Sequence, residues 1–381
     1  MSLSAQPRTI IFWGTYDTGK PRVRILLAAA RHAGYHVIEC HADIWGGIED
    51  KSQISRRVQL KRLMRLFLSY PQLVWRYLRL PPHEAVLVGY LGIIDLFVIR
   101  LFARLRGVTV CWDIFISLYD TIVTDRKLAA HPLVKWSLYG LEWLAARTAD
   151  LLIMDTRAHA AYFESLYGLA QGSVQRVFVG AETDVFRRLE NKPRDLDKPF
   201  TVLFYGQFIP LQGIETIVEA AKIIEGSGTP IRWIIIGSGQ EQHRIDALIA
   251  RLGVQSIERI AWVAYEALAG YISEADVCLG IFGAGGKAAR VIPNKIFQAL
   301  AAGAQIITAD TPAVRELLSE GPAVRLVEQG NPAALAAAAV ALQEATAAGA
   351  DQALQNAGLP VIGPREVGEQ LAGALHTVGV I

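Results

Sequence analysis

The chain has 381 residues, 52% apolar and 19% charged, which provides for two large cores and excludes intrinsic disorder as a description of the whole. Cys40, Cys111 and Cys278 lie far apart without metal-ligand spacing, so neither a disulfide framework nor a zinc site is expected, and a reducing compartment fits best. Mean hydropathy is high at +0.28, yet the strongest apolar run, Ala85 to Ile99, is interrupted by Asp95 and followed by Arg100 and Arg104. No stretch reaches the roughly 18 uncharged apolar residues that a membrane span needs.

No signal peptide is expected, because Arg8 leads directly into a short apolar run that ends at Gly14. From there strand-like runs alternate with helical stretches. In the first half the strands are expected at Thr9–Trp13, His36–Cys40, Ala85–Tyr90, Thr109–Ile114, Leu151–Asp155 and Val174–Val179. Most are continuous apolar runs, as parallel strands buried on both faces require. Helices are expected at Val23–Ala33, Ile94–Arg106, Leu133–Arg147 and Ala158–Tyr167. Residues 186–199 are dense in charge and hold two prolines, which reads as a linker. The rhythm then restarts at Phe200–Tyr205 and continues through Trp233–Ile236, Arg259–Val263, Val277–Ile281, Gln305–Thr308 and Val324–Val327. This gives an α/β chain with two successive Rossmann-like domains, 1–185 and 200–360. A last helix, Arg365–His376 within 361–381, is expected to pack back on the first domain.

The net charge of +2 hides an asymmetry. Residues 1–180 carry 22 Lys/Arg against 14 Asp/Glu, and residues 181–381 carry 16 against 22. The first half is therefore the half expected to meet an anionic partner. Its basic stretch, residues 51–80, holds eight Lys/Arg and no acid, interleaved with Leu, Phe and Trp. Cations beside aromatic and aliphatic side chains suit an interfacial helix on anionic lipid. A helix packed on its own domain with a basic outer face is the alternative, and a nucleic-acid partner is not expected without an accompanying motif. Asp113, Asp120 and Asp125 crowd the end of the fourth strand, where parallel sheets face their ligand.

In the second half, Gly206 to Gly213 and Gly237-Ser238-Gly239 are glycine turns that run from a strand toward a helix start, where backbone N–H groups can hold phosphate. Residues 277–309 contain Lys287, Arg290 and Lys295 and no acid. Gly283, Gly285 and Gly286 precede these cations, and Pro293-Asn294 opens a helix, a combination suited to a diphosphate.

These motifs together resemble those of family 4 glycosyltransferases. Gly180 to Phe186 is similar to their interdomain signature, and the two glycine turns to their donor loops. Glu266–Asp276 is similar to the segment before their donor strand, and Gln298 to Gly303 to their Glu-Ala-Met-Ala-x-Gly helix. The first half resembles them in architecture and in Gly14, Arg22 and Gly34. The departures are specific. Gln207 and Gln212 stand where the family has a basic residue and a lysine, and Arg290 and Gln298 fall on its two-glutamate motif.

The resemblance implies the GT-B fold, with two Rossmann-like domains facing each other across a cleft. It implies a UDP- or GDP-sugar as donor substrate, retention of configuration, and no metal or other cofactor. Gly206, Gln207, Gln212, Gly213, Gly237, Gly239, Lys287, Arg290, Asn294, Lys295 and Gln298 are then expected on the donor side. Gly14, Thr15 and Arg22 are expected on the acceptor side, and Asp113 beside the reacting sugar with Asp120 in reserve. The reading is a glycosyltransferase of polysaccharide or glycolipid biosynthesis, with a lipid-linked or glycan acceptor, peripheral on the cytoplasmic side of a membrane. A sugar-nucleotide epimerase and a non-catalytic GT-B scaffold are the alternatives.

Overall fold

The computed structural model describes residues 8–44, 56–188, 198–348 and 358–380, with the backbone alone at 56–60. The chain divides into two compact units, Met1–Gly180 with Gly363–Ile381, and Ala181–Ile362.

The first unit is a six-stranded parallel sheet in the order β2-β1-β3-β4-β5-β6. Its strands are β1 (Thr9–Gly14), β2 (His36–His41), β3 (Ala85–Val88), β4 (Thr109–Asp113), β5 (Leu151–Met154) and β6 (Val174–Arg176). One face is covered by α2 (Arg56–Leu78), α3 (Ile93–Leu105), α4 (Pro132–Ala146) and α5 (Arg157–Tyr167), which share one apolar core with Trp13, Val88 and Trp112. Helix α1 (Pro21–His32) packs against the last helix of the chain, which also touches β5 and β6.

The second unit repeats the architecture in the order β12-β11-β10-β7-β8-β9. Its strands are β7 (Phe200–Tyr205), β8 (Ile231–Ile236), β9 (Ile257–Ile260), β10 (Val277–Leu279), β11 (Gln305–Ala309) and β12 (Val324–Val327). Helices α6 (Ile214–Ser227), α7 (Gln242–Leu252) and α10 (Pro332–Ala347) share the core of one face, and α8 (Ala267–Glu274) and α9 (Asn294–Ala301) complete the unit. Strand order reverses between β1 and β3 in the first sheet and between β7 and β10 in the second. Those reversals, at the carboxyl ends of the strands, are where open parallel sheets hold ligands.

All twelve expected strands form, with two shifts. Strand β6 stops at Arg176, because the Val177 and Phe178 carbonyls accept from Arg22 and the Phe178 N–H donates to Gln370. Strand β9 begins earlier than expected, because β8 is already paired at Ser256, whose carbonyl accepts from the Trp233 N–H at 2.9 Å. The division between the units also falls before residue 185. Ala181 N–H donates to the Ile362 carbonyl at 2.8 Å and Phe186 stands edge-on to Tyr265, so this segment belongs with the second unit. Residues 189–197 of the expected linker lie outside the described residues.

The last helix, α11 (Pro364–His376), is part of the first unit and buries Val367, Leu371, Ala374 and Leu375. Its approach to α1 is backbone-close: a Cβ on Gly368 would stand 2.5 Å from the Ala29 carbonyl oxygen. Gly368→Val is therefore expected to cost about 1–3 kcal/mol by overpacking. It should lower the urea midpoint and open residues 358–363 to protease, whereas wild-type stability would show that α11 is loosely held.

Candidate active site

In the second unit the expected donor residues converge where the strand order reverses. Strand β7 ends in Gly206, whose N–H donates to the Ile236 carbonyl at 3.0 Å, and Phe208 N–H donates to the Ser238 carbonyl at 2.9 Å. The first and second glycine turns are thus stacked on each other. Gly237 has φ +137°, and a Cβ there would overlap the Gly206 carbonyl oxygen, so the contact requires glycine. The segment after β10 closes the third side, since Phe282 N–H donates to the Gln212 carbonyl at 3.0 Å.

Beneath these turns lies Lys295, in the first turn of α9 and buried. Its Nζ would be 3.2 Å from a Cβ on Gly206. It donates to Gln212 Oε1 at 2.7 Å and sits 3.6 Å from the centre of the Phe204 ring. No carboxylate among the described residues forms an ion pair with it. Burial consequently pushes its pKa well below the usual lysine value, against a smaller upward pull from Cys278. The Cys278 thiol is itself pushed up to about 12 by burial.

Gln298, one turn along α9, is committed within the protein. Its Oε1 accepts from Tyr205 Oη at 3.0 Å, its Nε2 donates to Tyr265 Oη at 3.1 Å, and Tyr265 Oη donates to Glu182 at 2.5 Å. Tyr205 and Tyr265 join the site unannounced by any motif, whereas Glu182 lies within the Gly180 to Phe186 signature. Lys287 is buried. Arg290 is half-buried, in the turn 285–290, with Nη1 only 2.9 Å from where a Cβ on Gly286 would be. Asn294 opens α9, Gln207 is exposed on the first turn, and Gly213 starts α6.

In the first unit the expected site residues have a different use. Arg22 and Asp113 are both buried and form a bidentate pair, with Nη2 2.7 Å and Nε 3.0 Å from the carboxylate oxygens. Arg22 Nη1 also donates to the carbonyls of Val177 and Phe178, each at 2.8 Å. The guanidinium and the carboxylate are consumed in joining α1, β4 and the segment after β6. Arg22, expected on the acceptor side, and Asp113, expected beside the reacting sugar, are thus paired with each other. Asp120 is buried too and accepts from Tyr162 Oη at 3.2 Å, so it is also removed from solvent.

Gly14 and Thr15, at the end of β1, are fastened to α3: Thr15 N–H and Oγ1 each donate to Asp95 at 3.0 Å, and Tyr70 of α2 donates to the same carboxylate at 2.9 Å. Burial pushes the Asp95 carboxyl up, opposed by these three donors. Glu142 of α4 works in the same way on the loop after β4, accepting from Ser117 Oγ at 2.7 Å, Leu118 N–H at 2.5 Å and Tyr167 Oη at 2.6 Å. That loop carries Phe115, a non-glycine residue at φ 53°. Its ring lies edge-on to Tyr90 at 5.2 Å, at the carboxyl ends of β3 and β4. A strained residue at a ligand-facing strand end marks Phe115 and Tyr90 as acceptor-side candidates.

The basic stretch forms α2 from residue 56, while residues 51–55 lie outside the described residues. Leu66, Tyr70, Leu73 and Tyr77 face the core at helical spacing, whereas Met64, Phe67, Leu68 and Trp75 are exposed. Lys61 and Arg65 are exposed beside them, and the Arg79 guanidinium lies 3.5 Å above the Trp75 ring. The helix thus has a core face and, separately, an outward apolar face edged by cations. Among the described residues no helix is long and apolar enough to cross a membrane, and no group of three or more His, Cys, Asp or Glu is placed to hold a metal.

Two parallel α/β units, each with a strand reversal at its carboxyl edge, give the chain the GT-B fold. Residues 199–345, within the second unit, match the family model of glycosyl transferases group 1. The chain is 25% identical over 160 residues to the amylovoran biosynthesis glycosyltransferase AmsK of Erwinia amylovora, covering 41% of this chain and 39% of that one. It is 27% identical over 131 residues to WcaI of Escherichia coli (strain K12), a putative colanic acid biosynthesis glycosyl transferase, covering 34% and 31%. The matched region thus spans well under half the length of either relative. The crystal structure of Anabaena HepE in complex with UDP and glucose has the same fold, with a TM-score of 0.67 at 14% identity over 98% of this chain and 100% of that one.

Breaking a buried pair from one side leaves a buried charge unmatched. Asp113→Asn is accordingly expected to lower the free energy of unfolding by about 3–5 kcal/mol, read from the urea midpoint. An unchanged midpoint together with lost turnover would restore the catalytic assignment.

Proposed function

We propose that the protein transfers a sugar from a nucleoside-diphosphate sugar to a glycan or lipid-linked acceptor in polysaccharide or glycolipid biosynthesis. The observation that carries the reading is Lys295, an amine buried under the two stacked glycine turns with no carboxylate partner among the described residues. Transfer breaks the bond between the anomeric carbon and the diphosphate oxygen, and the electron pair leaves with the diphosphate. The growing negative charge has to be met by donors already in place. Lys295 meets it, with Arg290 of the turn 285–290 as the second cation. Gln207 and Gln212 supply no charge; Gln212 instead orients Lys295.

Support for the donor and pathway comes from the relatives. The HepE structure contains UDP and glucose, and the relatives matched in sequence are named for polysaccharide biosynthesis. The first unit supplies the acceptor side, from Gly14, Phe115 and Tyr90. Its helix α2 holds the protein to the cytoplasmic face of an anionic membrane, because the outward apolar face and its cations match a headgroup layer. The reading calls on no resident metal or cofactor.

Lys295→Met is expected to weaken binding of UDP or GDP by about 1.5–3 kcal/mol and to leave binding of the nucleoside unchanged, as measured by calorimetric titration. Equal losses for nucleoside and diphosphate would remove Lys295 from the phosphate site. Donor conversion without an acceptor would indicate an epimerase. Binding without turnover of any donor would indicate a scaffold.

A further inference from the structure

Helices α2, α3 and α4 pack side by side on one face of the first sheet. The proposal above draws on α2 alone, but the other two also turn apolar side chains outward. On α4, Leu133, Trp136, Gly140, Trp143 and Leu144 recur at i, i+3, i+7, i+10 and i+11, so they form one stripe. Leu133 is 70% exposed and Trp136 78%, while Glu142, Ala145 and Ala146 on the opposite side are buried. The outward end of α3 adds Leu101 and Leu105.

Charge narrows the choice of occupant. The three helices contain two acidic residues, Asp95 and Glu142, and both are buried and bonded inward. The outward cations are Lys61 and Arg65 on α2, Arg104 on α3, and Arg147 just past α4, whose guanidinium lies 4.1 Å over the Trp143 ring. A face that is apolar in its middle and cationic at its margins, with no exposed acid on the three helices themselves and Asp150 beyond α4 paired with Arg100, fits an anionic bilayer. Trp and Leu enter the headgroup and acyl boundary there, while Arg and Lys meet phosphates. A two-fold contact with a second copy would place this cationic face against itself. A nucleic acid would leave the apolar stripe without a partner.

We infer that α4 and the outward end of α3 enter an anionic bilayer together with α2, so that the membrane-binding surface is a three-helix face with Trp136 and Trp143 as its deepest anchors. The inference rests on the membrane reading of α2 only in taking the same partner.

The test is co-sedimentation of the full chain with vesicles of equal parts phosphatidylcholine and phosphatidylglycerol, comparing wild type, Trp136→Ser/Trp143→Ser and Lys61→Gln/Arg65→Gln. All four substituted residues are exposed, and unchanged melting temperatures check folding. The tryptophan variant is expected to bind about tenfold more weakly or worse at both low and high salt, since apolar burial is not screened. The α2 variant should lose binding mainly at low salt. Brominated lipid should quench wild-type tryptophan emission and quench the tryptophan variant less. Wild-type binding and quenching in the tryptophan variant, with loss in the α2 variant, would overturn the inference and leave the α2 reading standing. Failure of the wild type to bind would overturn both. Self-association in solution that the tryptophan substitutions abolish would assign the stripe to a second copy instead.

Discussion

A lysine amine enclosed by protein, with an amide oxygen and an aromatic face in place of a carboxylate, is the constraint around which the second unit is arranged. Burying such a group is costly, and the cost appears as the lowered pKa of Lys295. The arrangement that sustains it is local. Gln212 turns its carbonyl to Nζ because the short helical turn before Gly213 holds it there, and Phe204 offers its ring from the last turn-facing position of β7. The glycine turns above can approach only because they lack side chains. An anion arriving at those turns would relieve the cost, so the energy spent in folding is recovered on binding a diphosphate. Gln212 is then a positioning residue. It replaces a charge with a dipole and leaves the charge to come from α9.

The first unit uses its buried charges in the opposite manner. Asp95, Asp113 and Glu142 are each saturated with donors and fasten loops at the carboxyl ends of the strands. Groups held this way have little left to offer a substrate, but they hold the loop of Phe115 in a conformation its side chain disfavours. If the first unit takes the acceptor as proposed, it does so with rigid loop ties and aromatic faces, a fit for a partner recognised by shape and stacking. The outward faces of α2, α3 and α4 belong to the same unit, so the surface that would meet lipid and the loops that would meet the acceptor are carried on one sheet.

Strands were legible in the sequence because a parallel strand buried on both faces is a continuous apolar run, as in Phe200–Tyr205 and Leu151–Met154. The two glycine turns were legible from glycine spacing at strand ends. What the residues could not disclose were pairings across long separations. Arg22 and Asp113 are 91 residues apart, and each alone looks like a ligand-facing polar group. Gln298 likewise gives no sign in sequence that its amide bonds to both Tyr205 and Tyr265. The basic stretch was read as either core-packed or outward-facing, and α2 is both, since one helix has room for two apolar faces separated by cations. Glu142 gave no signal, lying in an apolar helix whose period is ordinary.

The most direct test of the buried cation is proton uptake on binding. Above the lowered pKa of Lys295 and below its ordinary 10.5, the folded protein holds a neutral amine while the unfolded chain is protonated, so stability rises with pH across that window. A bound diphosphate restores the charge and draws in a proton, so its affinity falls as pH rises. Calorimetric titration with UDP and GDP in buffers of different ionisation enthalpy, at several pH values in this window, reads the uptake directly. The account predicts net proton uptake by the wild type and its loss in Lys295→Met. Diphosphate binding with no uptake, or with the same uptake in both proteins, would contradict it.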